Sequence, residues 1–225
     1  MTATRPVPAP DFVGYPEVRR GIRALLEGRP GTHRRPVPAC PKWTVTDLLG
    51  HLTAVAERVL VRHGGTPPPA PAGTLTVPAL LDRWDDVGEE LDRRLADAGG
   101  RSGEVMVMDA YTHELDLRAA LGVPPPVEHA AWAPSFDVLV RGFSGSVAGR
   151  GLPPLRLRTT GGSTWTAGVG RPKDSLTAPA HELYRALAGR RSVAQLAGLD
   201  WSAAAGPWLP AFSWGPFAPP RRPGV

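Results

Sequence analysis

Residues 36–52 read PVPACPKWTVTDLLGHL, and this stretch contains the clearest helix start in the chain. Thr44 stands three residues before Asp47, a spacing typical of a capping box, with Asp in place of the usual Glu. His51 follows within an apolar stripe at helical spacing, formed by Leu48, Leu52, Val55 and Val59. The sequence therefore predicts an amphipathic helix whose buried face carries a histidine.

Three further amphipathic stretches surround this helix, and glycines and prolines separate them. Apolar residues recur every three to four positions within each stretch. The connector 64–73, GGTPPPAPAG, cannot be helical because its prolines lack the backbone donor. We predict a four-helix bundle over about residues 1–122, with an extended arm at 1–14, a loop at 32–43 and the additional helices at 16–26, 78–98 and 104–121.

The second half of the chain has a different texture. Residues 155–159 and 164–166 alternate in polarity around a Gly-Gly turn, which predicts a β-hairpin. This hairpin indicates a small α+β unit. We expect the unit also to contain helices at 135–147 and 180–188 and a short strand before Pro179. We expect three segments in all: a bundle at 1–123, an α+β domain at 130–206 and an irregular tail at 207–225.

Composition restricts the class of protein. The chain has 225 residues, 42% hydrophobic and 21% charged, as ordinary globular proteins do. It contains no run of eighteen apolar residues and no apolar segment near its start, so we expect neither a membrane span nor a secretory signal. The single cysteine, Cys40, excludes an internal disulfide and favours a reducing, cytoplasmic location.

The formal net charge of +5 raises the question of nucleic-acid binding. Lysine occurs only at Lys42 and Lys173, and the arginines are scattered singly or in pairs among carboxylates and prolines. No basic stripe with interleaved aromatic residues is present, as a groove that follows a phosphate backbone would require. We therefore expect no nucleic-acid partner.

Asp109 and His113 are the best candidates for metal ligands. They lie four residues apart on one predicted helix, so they share a face. A carboxylate and an imidazole at this spacing can bind one cation, and His51 could supply a third ligand from another helix. Such a set would leave a position open for water or substrate, and Asp116, one turn beyond His113, could accept a hydrogen bond from a ligand.

Spacing alone leaves simpler interpretations open. A histidine on an apolar stripe is usually a core residue with satisfied hydrogen bonds, and an Asp-x-x-x-His pair can be a solvated ion pair.

The residues themselves resemble a known family. The stretch 36–52 resembles one signature of the mycothiol-dependent maleylpyruvate isomerase family of the DinB-like superfamily, and DAYTHELDLRAALG, residues 109–122, resembles a second. The resemblance implies that His51, Asp109 and His113 bind zinc or another divalent metal. It also implies mycothiol as cosubstrate, and isomerisation or thiol transfer on a small electrophile. Residues 152–170 and 176–192 resemble the family's α+β, sterol-carrier-like C-terminal domain.

Two positions depart from the family pattern. Asp109 stands where the family usually has Glu, which is one methylene longer, and Lys42 replaces a usual Gly. Trp43 and Arg190 are candidates for lining the thiol or substrate pocket, although Trp43 could be a core anchor and Arg190 a helix C-cap. Cys40 is interpreted as structural, because no sequence neighbour orients it as a nucleophile.

A second functional class stays open. The chain could be a small-ligand or partner-binding module in which the metal site is vestigial, and the shortened ligand Asp109 favours this alternative. Both a monomer and a homodimer fit the sequence.

Overall fold

The computed structural model describes residues 14–73, 75–98 and 103–223. The chain divides into two compact units, residues 1–135 and 136–225. The first contains the four predicted helices: α1 (Tyr15–Leu26), α2 (Val45–Arg62), α3 (Val77–Ala98) and α4 (Glu104–Leu121). α2 packs on α3 and α1 on α4, with further α1–α3 and α2–α4 contacts, so the predicted bundle is confirmed. The predicted arm at 1–13 lies outside the described residues.

The capping box predicted from residues 44–47 starts α2. The backbone N–H of Thr44 donates to Asp47 Oδ2 at 2.8 Å, and Thr44 Oγ1 accepts from the Asp47 backbone N–H at 3.3 Å. These hydrogen bonds from Thr44 favour the ionised carboxylate, which lowers the pKa of Asp47. The box fixes the first turn of α2 and therefore the direction in which His51 points.

The segment predicted as a loop at 32–43 is largely a short hairpin, so that prediction was wrong. β1 (Pro36–Val37) pairs antiparallel with β2 (Cys40–Thr44), and Val37 stands opposite Cys40. β1 has only two residues, and the five residues of β2 show no alternation of buried and exposed side chains, so neither strand gives a periodic signal. Burial of the Val37 side chain holds the hairpin on the bundle.

A buried ionic network joins α1 to α3. The Arg19 guanidinium donates to Asp85 at 3.1 Å and to Asp92 at 2.5 Å. Asp85 also accepts a hydrogen bond from Arg23, because the charged side chains of α1 lie beside α3. Gly88 leaves room for this crossing, since a Cβ there would lie 2.5 Å from the guanidinium carbon of Arg19.

α4 is buried over most of its surface, including polar residues that an exposed helix would turn outward. Glu114 is fully buried; Arg118 binds it at 2.7 Å, and His129 Nε2 lies 3.2 Å from its second oxygen. His129 also stacks on Tyr111, with ring centroids 4.5 Å apart. The sequence did not predict the burial of His129, because it lies in a loop between prolines and α5.

The second unit is an α+β fold, as predicted. Its sheet has the order β4-β3-β5-β6, with β3 and β5 parallel and the other pairs antiparallel. In β3, leucines are buried and arginines exposed in strict alternation. The elements are α5 (Trp132–Gly149), which begins just before this unit, β3 (Leu155–Thr159), β4 (Thr164–Ala167), β5 (Asp174–Ala178), α6 (Ala180–Leu187), α7 (Val193–Ala197) and β6 (Asp200–Trp201).

Two of these elements were not predicted. α7 and β6 have five and two residues, which is too short for a periodic pattern. The tail is mainly irregular, as expected, with a 3-10 turn at Leu209–Phe212 that places Phe212 against Phe143, ring centroids 4.6 Å apart. Every helix within the described ranges is too short or too polar to serve as a transmembrane segment.

Candidate metal centre

α2 and α4 bring the three candidate ligands together in the first unit. One ligand atom from each of His51, Asp109 and His113 lies within 4.8 Å of the others. Asp109 Oδ2 is 3.2 Å from His51 Nε2, and Asp109 Oδ1 is 3.7 Å from His113 Nε2. Ligand atoms of one tetrahedral zinc ion lie about 3.4 Å apart, given zinc–nitrogen and zinc–oxygen distances near 2.1 Å. The donor set and its spacing therefore fit a divalent cation.

The shorter carboxylate at position 109 still reaches both histidines. Each of its two oxygens faces a different imidazole, because the helices that carry His51 and Asp109 pack directly against each other. The missing methylene of Asp relative to Glu is therefore compensated by the position of α4.

Asp116 orients His113 from behind. Its Oδ2 lies 3.1 Å from His113 Nδ1, and the Asp116 side chain is fully buried. A proton on Nδ1 is donated to this carboxylate, which leaves the lone pair of Nε2 directed toward Asp109. A carboxylate on the far nitrogen of a histidine is the usual partner of a metal-binding imidazole.

Trp43 covers the two histidine rings. Its ring centroid lies 4.8 Å from that of His51 and 5.7 Å from that of His113. The indole restricts both imidazoles to one orientation and gives the site an apolar wall. The sequence had left Trp43 open between core and pocket, and the structure places it beside the candidate ligands.

Burial is uneven across the site. The side chain of His113 is 7% exposed, whereas those of His51 and Asp109 are 28% and 30% exposed. A cavity of about 690 Å³ opens beside His51; its lining includes Lys42, Trp43, Asp47, His51, Pro71 and Leu80. A small molecule that enters this cavity would meet the exposed edge of the cluster.

The structure shows the surroundings of two further candidate residues, Cys40 and Arg190. Cys40 Sγ lies 3.9 Å from Asp116 Oδ2, a proximity that the sequence could not show because residues 40 and 116 lie on separate elements. Arg190 belongs to the second unit, where its guanidinium donates to the Ala188 carbonyl at the end of α6 at 2.8 Å.

A comparison with known protein families matches the first of the two units. The family model described as the DinB superfamily matches residues 15–123, the span of all four bundle helices. This bundle is a DinB-superfamily domain. The resemblance noted from residues 36–52 and 109–122 is thereby confirmed at the level of the superfamily.

Two solved structures share the overall fold of this protein. One is a crystal structure of the mycothiol-dependent maleylpyruvate isomerase, with 14% sequence identity and a TM-score of 0.55. The other is a histidine-to-alanine mutant of that enzyme, with a TM-score of 0.56. Each alignment covers 86% of this chain and 92% of the other. No curated protein matches the sequence. At this identity the likeness establishes the fold, a DinB-like bundle followed by an α+β domain.

Proposed function

We propose that this protein is a metal-dependent enzyme that uses a low-molecular-weight thiol, mycothiol, on a small electrophilic substrate. The observation that carries the proposal is the convergence of His51, Asp109 and His113 within 4.8 Å of one another at the edge of a cavity. Two neutral nitrogens and one carboxylate suit zinc, and three protein ligands leave a coordination position for an exogenous donor.

Two neighbouring residues, Asp116 and Trp43, support the binding of a metal at this site. Asp116 Oδ2 lies 3.1 Å from His113 Nδ1, where it would accept the proton of that nitrogen and leave the lone pair of Nε2 for a cation. Trp43 fixes the rings of both histidines and limits the access of water on its side. A bound divalent ion would supply positive charge that keeps a thiol deprotonated at neutral pH.

Neither of the two candidate reactions, isomerisation and thiol transfer, needs an oxidant or a reductant. In an isomerase, the sulfur adds to a conjugated carbon–carbon double bond, the resulting single bond rotates, and the sulfur leaves with its electron pair, which restores the alkene. In a transferase, the carbon–sulfur bond persists and a proton or leaving group completes the exchange. The resemblance of residues 36–52 and 109–122 to the maleylpyruvate isomerase signatures favours one of these two reactions.

The cavity beside His51 is the proposed binding space for thiol and substrate. Its volume of about 690 Å³ lies within the range of small-molecule sites, roughly 300–1,000 Å³. Arg190 is a proposed contact for an anionic group, because a guanidinium binds a carboxylate in two places. One chain contains all three candidate ligands, so a monomer suffices for metal binding, and the proposed use of a low-molecular-weight thiol supports a cytoplasmic location.

Metal analysis of purified protein tests the first half of the proposal. We expect about one zinc or other divalent ion per chain, and a lower metal content in the His51→Ala variant. His33→Ala is the matched control, since His33 is exposed and outside the cluster. Equal metal content in His51→Ala and the wild type would contradict the proposed ligand set.

Activity assays test the second half of the proposal, the enzymatic use of a thiol on a small electrophile. The metal-loaded protein should isomerise or conjugate a small electrophile when mycothiol is present, and folded His51→Ala and His113→Ala variants should lose that activity. A metal-loaded protein that is inert with every thiol and electrophile offered would contradict the enzymatic proposal and leave the binding-module alternative.

A further inference from the structure

A second cluster of metal-binding side chains lies behind the first. One ligand atom from each of Cys40, His113 and Asp116 lies within 4.8 Å of the others. His113 belongs to both clusters, and its two ring nitrogens face opposite ways: Nε2 lies 3.7 Å from Asp109, and Nδ1 lies 3.1 Å from Asp116. The two clusters are therefore separated by one imidazole ring.

The donors of this second cluster differ in kind from those of the first. A sulfur, a nitrogen and a carboxylate oxygen converge here, whereas the first cluster has no sulfur. Asp116 Oδ2 is 3.1 Å from His113 Nδ1 and 3.9 Å from Cys40 Sγ. In a tetrahedral zinc site a nitrogen and an oxygen ligand lie about 3.4 Å apart and a sulfur and an oxygen ligand about 3.6 Å apart, so each of these two separations differs from the ideal value by about 0.3 Å.

The fold holds the three donors in place by separate means. Cys40 begins β2 and pairs with the buried Val37 of β1. His113 and Asp116 lie three residues apart on α4, where both are buried. Because Cys40 is half-buried and Asp116 is fully buried, the cluster is shielded from most of the solvent, which strengthens the attraction between a cation and its ligands.

We propose that Cys40, His113 and Asp116 form a second site, for a thiophilic divalent cation of the zinc and cadmium type. A thiolate ligand selects such cations over magnesium, calcium or manganese, which prefer oxygen donors. Binding releases the thiol proton to solvent and displaces the proton that His113 donates to Asp116. The site requires none of the thiol chemistry proposed above; it shares His113 with the proposed catalytic centre, and Asp116 is the residue that orients this histidine.

The shared imidazole makes the two sites mutually antagonistic. Two divalent charges on one ring repel each other, and a cation on Nδ1 removes the hydrogen bond by which Asp116 orients His113. The second site should therefore fill after the first, at higher cation concentration. An excess of thiophilic metal should then inhibit the enzyme.

Cadmium titration of the metal-free full chain tests this site without an activity assay. We expect two cadmium ions per wild-type chain and an ultraviolet charge-transfer band of a cadmium-bound thiolate. Cys40→Ala and Cys40→Ser should each bind one ion and lack the band. Because Cys40 is half-buried and small, we expect both variants to fold, which circular dichroism checks.

The His51→Ala variant separates this proposal from the proposed function. It should retain the thiolate band while its stoichiometry falls to one. If the first site does not exist, the wild type would bind one ion with the band and Cys40→Ala would bind none, and the second site would still stand. A wild-type protein that saturates with cadmium without the thiolate band would overturn the second site, whatever the state of the first.

Discussion

At the scale of single residues, His113 is the side chain on which the site depends. Its Nε2 faces Asp109 and its Nδ1 faces Asp116, while Trp43 and His51 lie against the ring. Because these side chains contact the imidazole, only its Nε2 faces the ligands of the first cluster. Preorganisation of this kind reduces the ordering cost of binding, and it makes residues that do not touch the metal important for its affinity.

The first prediction concerns Asp116. Asp116→Asn keeps the shape of the side chain but removes the negative charge behind His113, which lowers the basicity of Nε2. We expect the affinity for zinc to fall about 10- to 100-fold, as for other partners of metal-binding histidines, when measured by competition with a chelator. Asp86→Asn, at an exposed position of α3, is the control. An unchanged zinc affinity in Asp116→Asn would contradict the orienting role.

At the scale of elements, the start of α2 and the α1–α3 interface determine whether the bundle holds the site. The capping box at Thr44 and Asp47 is local, and it sets the register of the helix that carries His51. The Arg19 network is long-range, because it ties α1 to α3 through side chains more than sixty residues apart. The two features respond differently to pH.

The second prediction is that Asp47 contributes to the free energy of unfolding in a pH-dependent way. Hydrogen bonds from Thr44 lower the pKa of Asp47 in the folded state below its ordinary value of 3.8, so its stabilising effect is complete above about pH 4 and lost as the pH falls through the lowered pKa. At pH 7, Asp47→Asn should cost about 0.3–1 kcal/mol, the usual effect of an exposed charge at a helix N-terminus. Urea unfolding at pH 7 and at pH 3 measures the cost of Asp47→Asn, which should be smaller at pH 3, where the carboxyl of the unfolded chain is largely protonated. A cost that is the same at both pH values would contradict a charge-dependent cap.

The third prediction concerns Arg19. Arg19→Met leaves Asp92 half-buried without its cation, and loss of one partner of a buried pair costs about 3–5 kcal/mol. Burial already raises the pKa of Asp92, and the variant should raise it further, so part of the stability should return as the pH falls through that raised pKa and the carboxyl becomes neutral. Arg58→Met is the control: Arg58 is exposed on α2, and its loss should stay within about 0.5 kcal/mol. Equal costs for the two variants in urea unfolding would show that the network contributes nothing.

At the scale of the whole molecule, the metal should couple to folding, because its ligands come from two helices far apart in the sequence. An unfolded chain does not hold His51 near Asp109 and His113, so a cation that binds the folded bundle stabilises it by mass action.

The fourth prediction measures that coupling. Zinc at 100 times its Kd should raise the free energy of unfolding by about 2.7 kcal/mol, which thermal unfolding with and without a chelator would detect as a higher Tm. His51→Ala should show a much smaller shift, and His33→Ala the full one. If the Tm of the wild type does not respond to zinc, the three side chains do not act as one site.

The sequence by itself determined those features of the fold that depend on residues close together in the chain. Helix periodicity and caps predicted α1 to α4, the Gly-Gly turn predicted the β3–β4 hairpin, and the four-residue spacing of Asp109 and His113 placed these side chains on one face of α4. β1, α7 and β6 have too few residues for a periodic signal, and β2 shows no alternation of buried and exposed side chains, so these elements could not be predicted in the same way.

Only the tertiary structure decided which distant residues meet. The approach of His51 to Asp109, the position of Cys40 beside Asp116, and the burial of Arg19 between α1 and α3 all depend on how helices and the hairpin pack. Spacing along a chain fixes the direction of a side chain relative to its own helix, but packing between elements fixes its distance from the others. For that reason the second cluster, which joins a β-strand to α4, was invisible in the sequence.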